Sequence, residues 1–151
     1  MEFKALVSSE IDKKFISEVK TRKIEDLPEG KVLIKVNFSS LNYKDALSAN
    51  GNKGVSRNYP HTPGIDAAGI VEFSEVDRYQ KGDEVIVTGY DLGMNTSGGF
   101  SQFIRVPEEW VVLKPAEISL SESMALGTAG LTAGLCVRKL LNHGILSLIH
   151  I

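Results

Sequence analysis

Asn42, Tyr43 and Asp45 set an amide, a phenol and a carboxylate close together, and Asp66 follows inside the glycine-bounded run Pro63-Gly64-Ile65-Asp66-Ala67-Ala68-Gly69. Such groups can do two kinds of work. They can start a helix, with Asn42 as cap, Asp45 as a first-turn acid against the positive end of the helix dipole, and Tyr43 as an apolar staple. They can also form the rim of a cleft that offers hydrogen bonds and negative charge to a ligand. Residue chemistry alone leaves both readings open. Asp45 and Asp66 would work as an acid–base pair only if folding brings them together, which their spacing does not reveal.

Other chemistries are weighed by counting side chains. A catalytic zinc site takes about three Cys, His or carboxylate ligands around one point. Cys136 is the sole cysteine, and the histidines are His61, His143 and His150. Cys136 sits in a run of small residues, where a buried packing role is expected. His143 reads as a helix-end residue interacting with the negative end of the dipole, and His61 follows Pro60 in a loop. The sequence therefore assigns no metal ligands. One cysteine also rules out an internal disulfide and any multi-cysteine zinc lobe. No G-x-S-x-G elbow is present and Cys136 has no evident histidine partner, so nucleophilic catalysis has no candidate.

The elements that must position these groups are short. Residues 3–7 and 15–19 are apolar-rich runs around a charged turn, the pattern of a hairpin. Val32, Ile34, Val36 and Phe38 alternate with Leu33, Lys35 and Asn37, the period of a half-buried strand. A short helix is expected over 43–49, closed by a polar, glycine-bearing loop that runs to Pro60. Further strands are expected over 67–73, 84–88, 100–106 and 110–113, with a long loop over 89–99. Six or seven short strands between turn signals favour a barrel or sandwich. From Ser119 or Ser121 a helix begins, with Glu122 in its first turn, and it runs to Leu141 before the stop Asn142-His143-Gly144. Its middle is rich in Gly, Ala and Thr, so a neighbouring backbone can approach it closely.

Composition narrows the partners. The 151 residues suffice for one ordinary domain with a core, and 42% apolar against 24% charged residues is the mix of a soluble globular protein. Seventeen basic and nineteen acidic side chains give a net charge of −2 with no basic block, which argues against nucleic acid and anionic membranes. The sequence shows no basic-then-apolar leader and no apolar run of about 18 residues. A cytoplasmic protein without a membrane span is expected.

Taken together, four blocks resemble the catalytic half of the medium-chain dehydrogenase/reductase superfamily. They resemble most its zinc-independent acrylyl-CoA reductase branch, the YhdH-type quinone oxidoreductases. The blocks are Ser39 to Leu47, Pro63-Gly64-Ile65-Asp66, Gly82-Asp83-Glu84-Val85 through Ser97-Gly98-Gly99-Phe100, and Gly127-Thr128-Ala129-Gly130-Leu131-Thr132-Ala133. They stand in the family's order and cover residues 1 to about 144. The resemblance implies a mainly β (α+β) fold, a GroES-like partly open β-barrel with short helices, and a C-terminal helix leading toward a Rossmann domain. It implies NADPH as cofactor and a small-molecule substrate, an enoyl-CoA or a quinone, with a homodimer in the full-length parent. Zinc enzymes of the superfamily carry Gly-His-Glu where this chain has Gly64-Ile65-Asp66, so the resemblance also implies loss of the metal. Without a Lewis acid the substrate must already be primed for hydride, with its carbonyl taking the charge as an enolate. By the same resemblance Tyr43 contacts NADPH near the nicotinamide, Thr128 and Thr132 are further cofactor neighbours, and Asn42, Asp45 and Asp66 line the active-site cleft.

The chain departs from the family after residue 144, where no G-x-G-x-x-G segment follows. The expected organisation is a GroES-like catalytic domain over 1–117, a helical start of a truncated nucleotide-binding domain over 118–145, and a non-family tail over 146–151. Such a fragment alone should bind NADPH poorly. The competing reading is a non-catalytic GroES-like binding or assembly module.

Overall fold

The computed structural model describes residues 1–144, in which seven strands and two α-helices follow one another. Strands β1 (Glu2–Ile11) and β2 (Lys14–Lys23) form an antiparallel hairpin paired along its whole length. The hairpin outruns its apolar segments because Ser8, Ser9 and Glu10 pair with Ser17, Ile16 and Phe15 across the ladder. Asp12 and Lys13 turn it with φ of 50° and 63°, the left-handed pair that two-residue hairpin loops require. Phe3, Ala5 and Val7 alternate inward onto Ile24, Leu27 and Leu33.

The larger sheet holds β3 (Val32–Phe38), β4 (Asp66–Ser74), β5 (Glu84–Thr88), β6 (Phe103–Val106) and β7 (Val111–Leu113). All its pairings are antiparallel, in the order β6-β3-β4-β5-β7. The strand expected over 100–106 starts only at Phe103. Its first residues leave the ladder to bind β1: Leu6 N–H donates to the Phe100 carbonyl at 2.8 Å and Gln102 N–H to the Lys4 carbonyl at 2.9 Å. Ser8 and His61 exchange a second pair of backbone bonds, at 2.7 and 2.9 Å. These stitches join the two sheets into the partly open barrel expected from the sequence. Its main core gathers Val32, Ile34, Val71, Val85, Ile104 and Val106.

Helix α1 (Tyr43–Ala49) occupies the span read from the sequence. Helix α2 (Leu120–Asn142) is capped by Ser119, the first of its two candidates. The Ser119 hydroxyl accepts from Glu122 N–H at 3.1 Å, and the Glu122 carboxylate accepts from Ser119 N–H at 2.8 Å. Leu120 and Met124 pack on Ala68, on the face of the sheet away from the main core.

At Gly127, with φ 50° and ψ −156°, α2 kinks. Beyond the kink it leaves the sheet, and Leu131, Leu135, Val137 and Leu141 are exposed. Cys136 lies on this stretch and is exposed, correcting the expectation of a buried packing role. By length and composition alone α2 could cross a membrane, against the expectation that no apolar run is long enough. The unbroken stretch after Gly127 is about 22 Å long at 1.5 Å per residue, short of the roughly 30 Å hydrocarbon core.

Candidate functional site

The corner between β3 and α1 meets the head of β4 at Asp66. Asp66 has no exposed surface, and its carboxylate is met from three directions. Ser40 Oγ and Asn42 Nδ2 donate to Oδ2, the latter at 2.9 Å. Thr128 adds its N–H to Oδ2 at 3.0 Å and its hydroxyl to Oδ1 at 2.6 Å. Ser39 Oγ holds the Asp66 carbonyl at 2.6 Å. One buried carboxylate thus ties β3, α1, β4 and α2 together. The Gly127 kink makes the last tie possible: it turns Thr128 N–H and hydroxyl onto the same carboxylate. A Cβ on Gly127 would lie 2.6 Å from Ser40 Oγ and 2.8 Å from Asp66 Oδ2.

Asp45 performs a second, parallel task. It is 2% exposed, accepts from Asn42 N–H at 2.8 Å, and accepts from Ile65 N–H at 2.9 Å. It therefore closes the first turn of α1 and pins α1 to the residue before Asp66. Burial raises the Asp45 carboxyl above its ordinary value; the two N–H donors pull the other way, and the neighbouring Asp66 charge adds to the rise. Asn42 links the two acids, its N–H on Asp45 and its amide on Asp66. Asn42 thus heads α1 while its amide side chain reaches across to β4.

The segment before Asp66 is fixed through bare backbone. Gly98, Gly99 and Phe100 donate N–H bonds to the carbonyls of Thr62, Gly64 and Pro63 at 2.8, 2.8 and 3.0 Å. A Cβ on Gly93 or Gly98 would come within 2.5 Å of Gly64 main-chain atoms. His61, expected in a plain loop, is buried here with Nε2 2.8 Å from the Gly93 carbonyl. Burial holds its imidazole below the ordinary histidine range.

The structure brings Asn42, Asp45, Asp66 and Thr128 into one cluster. Tyr43 stands beside it, 80% exposed, so it faces solvent and is not a core staple. Thr132 lies one turn beyond Thr128, exposed, with its hydroxyl on the Thr128 carbonyl at 2.8 Å. Ser40 belongs to the cluster too. Nothing in its type or position singled it out beyond its place in the Ser39-to-Leu47 block. Among the described residues, no group of three or more His, Cys, Asp or Glu side chains could hold a metal ion.

Residues 28–116 match the alcohol dehydrogenase GroES-like domain. The chain belongs to that family. Relatives of this GroES-like domain come from the medium-chain dehydrogenase/reductases, the superfamily its motif blocks resemble. The acrylyl-CoA reductase AcuI of Ruegeria pomeroyi is 43% identical over 145 residues, 95% of this chain and 44% of that protein. The yhdH oxidoreductase from Salmonella enterica, solved in complex with NADP, matches with TM-score 0.91 at 43% identity, covering 96% of this chain and 44% of that one. Bacillus subtilis yhfP, solved with NAD bound, matches with TM-score 0.91 at 44% identity, covering 95% and 44%. The chain therefore spans under half the length of these relatives. The tail expected over 146–151 lies outside the described residues.

Proposed function

We propose that this chain is the catalytic-domain portion of an NADPH-dependent oxidoreductase that reduces an activated double bond, in an enoyl-CoA thioester or a quinone, without zinc. The observation that carries the proposal is the Asp66 node. A barrel that only binds or assembles has no use for a buried carboxylate joining its rim to a kinked small-residue helix beside an exposed tyrosine. The relatives named above support the chemistry: one is an acrylyl-CoA reductase, and two were solved with NADP or NAD.

The residues present fit a nicotinamide cofactor. Thr128 commits its hydroxyl proton to Asp66, which leaves lone pairs able to accept from a carboxamide N–H. Tyr43 offers an exposed phenol as donor or stacking surface, and Thr132 an exposed hydroxyl one turn along α2. When bound, the cofactor supplies hydride. Asp66 and Asp45 act as positioning residues: both are sealed from solvent, and both spend their oxygens on holding Asn42, Thr128 and Ile65 in place. Asn42 and Tyr43 are the groups of the cluster nearest the rim. Tyr43 orients the acceptor and donates to the charge that develops on its carbonyl oxygen, while Asn42, whose N–H groups are taken by Asp45, Asp66 and Ser40, holds the corner in place. The groups converging on Asp66 are hydrogen-bond donors, a set suited to holding a carboxylate and not to ligating a metal, which supports the metal-free reading. The domain division at residues 117 and 145 and a cytoplasmic setting belong to the same proposal.

The test uses the full-length protein that contains this chain. It should oxidise NADPH in the presence of acryloyl-CoA or a quinone, and Tyr43→Ala should lower turnover or NADPH affinity at least about tenfold, roughly 1.4 kcal/mol. No turnover with either acceptor refutes the proposal. Wild-type kinetics in Tyr43→Ala removes Tyr43 from the site.

A further inference from the structure

A second concave site lies apart from the Asp66 cluster, between the end of β1 and the loop after α1. Ser9, Glu10, Lys53, Arg57, Asn58 and Tyr59 line a polar hollow of about 500 Å³. Its walls are held in place. The Phe15 ring occupies the space beside Gly51 that a Cβ would need, and it packs edge-on against Tyr59 at 4.8 Å. Tyr59 donates its hydroxyl to the Ser48 carbonyl at 2.6 Å, fastening the loop to the end of α1. The Ser48 and Ser56 hydroxyls pair at 2.7 Å in the interior.

The charges are arranged for an anion. Lys53 Nζ stands over the Tyr59 ring at 4.7 Å and the Phe15 ring at 5.5 Å, with Glu10 3.6 Å away. Glu10 balances Lys53. Arg57 is exposed and pairs with no carboxylate among the described residues. Its guanidinium fork matches phosphate oxygens two at a time. Tyr43 opens α1 and Ser48 lies in its last turn, and a seven-residue helix is about 10 Å long. The hollow therefore sits roughly one helix length from the Tyr43 rim.

We infer that this hollow binds the phosphate-bearing adenosine end of a CoA thioester, with Arg57 and Lys53 as its anion contacts and the acyl group at the Tyr43 rim. The inference rests on the reductase reading and narrows its acceptor. A quinone carries no anionic group for such a site, whereas a CoA ester carries phosphates at the end of a long flexible arm. The cofactor has phosphates too, but Thr128 and Thr132 stand on α2, and no α2 residue lines the hollow.

The experiment is an NMR titration of the 151-residue chain with CoA, with dephospho-CoA and with NADP. CoA should shift the backbone amides of 53–58 and bind about tenfold tighter than dephospho-CoA, which lacks the adenosine phosphate. Arg57→Gln, an exposed change that leaves the fold intact, should erase that factor for CoA and leave dephospho-CoA binding as it was. Equal binding of the two ligands, equal loss for both in Arg57→Gln, or larger 53–58 shifts with NADP than with CoA each overturn the inference. Turnover of acryloyl-CoA by the full-length protein keeps the two readings apart. Turnover with a KM indifferent to Arg57→Gln overturns the hollow alone. CoA seated in the hollow with no turnover of either acryloyl-CoA or a quinone supports the hollow and overturns the reductase reading alone.

Discussion

Replacing Gly127 with alanine should cost about 2–5 kcal/mol of folding stability. The backbone there, at φ 50° and ψ −156°, falls in a region almost closed to side-chain-bearing residues, which costs about 1–3 kcal/mol. The new methyl would also stand 2.6 Å from Ser40 Oγ and 2.8 Å from Asp66 Oδ2. The cluster must open to admit it, losing at least one hydrogen bond to a charged acceptor, roughly 1–2 kcal/mol more. Gly134 supplies the control: it lies in the same helix, in helical conformation, with nothing within 4 Å of an added Cβ. Gly134→Ala should stabilise by up to about 1 kcal/mol. Urea unfolding followed by tryptophan fluorescence reads both. Trp110 is the only tryptophan, and it lines an apolar groove with Leu126 and Gly130, so its emission reports directly on the seating of α2. In a chain of this size a loss of about 3 kcal/mol lowers the melting temperature by roughly 10 °C. A Gly127→Ala protein within about 0.5 kcal/mol of wild type, or a Gly134→Ala protein equally damaged, would refute the account of the kink.

Thr62 Oγ1 is buried with no hydrogen-bond partner among the described residues, so Thr62→Val should keep stability or raise it by up to about 1 kcal/mol. A chemical-denaturation loss larger than that would show that the hydroxyl has a partner. Burial keeps His61 neutral in the fold, while the unfolded chain takes up its proton near 6.5. The stability it contributes is therefore complete above that pH and falls below it, by at most about 1.4 kcal/mol per pH unit. Urea midpoints at about pH 7.5 and 5.5 should separate in wild type and converge in His61→Gln. Asp45 works with the opposite sign: its raised carboxyl gains a proton more readily folded than unfolded, so its contribution grows as pH falls toward 3.8. Asp45→Asn should then weaken the pinning of Ile65 yet flatten that acid limb, measured by the same midpoints in the acid range.

Much of the scaffold was legible because its signals are local. The alternation over 32–38 identified β3, and the 43–49 helix followed from its polar start and its glycine-bearing stop. The start of α2 at Ser119 or Ser121, with Glu122 in its first turn, followed from residue type, while the choice of Ser119 and its reciprocal bonds with Glu122 came from the structure. The Asp66 cluster was legible in part of its membership but not in its geometry. Asp45 and Asp66 share Asn42 only because β3 and β4 pair, and no pattern in either segment encodes that meeting. Gly127 reads as one more small residue in a helical run; its kink is dictated by the carboxylate waiting across the interface. His61 and Cys136 were misjudged for a related reason. Burial belongs to what the rest of the chain brings alongside, so a histidine beside Pro60 ends inside and a cysteine among alanines ends outside.

The bare-backbone contact around Gly64 sets limits on redesign. Main chain from the 62–64, 93 and 98–100 segments meets there without a side chain between. Side-chain exchange has room at Tyr43, Lys53, Arg57 and Asn58, which are exposed and can be changed singly. At Gly64, Gly93 or Gly98 even one carbon would pry apart the peptides that present Asp66. The adaptable and the immovable parts of this domain are thus near neighbours in sequence, and mutagenesis by contiguous windows would confuse them.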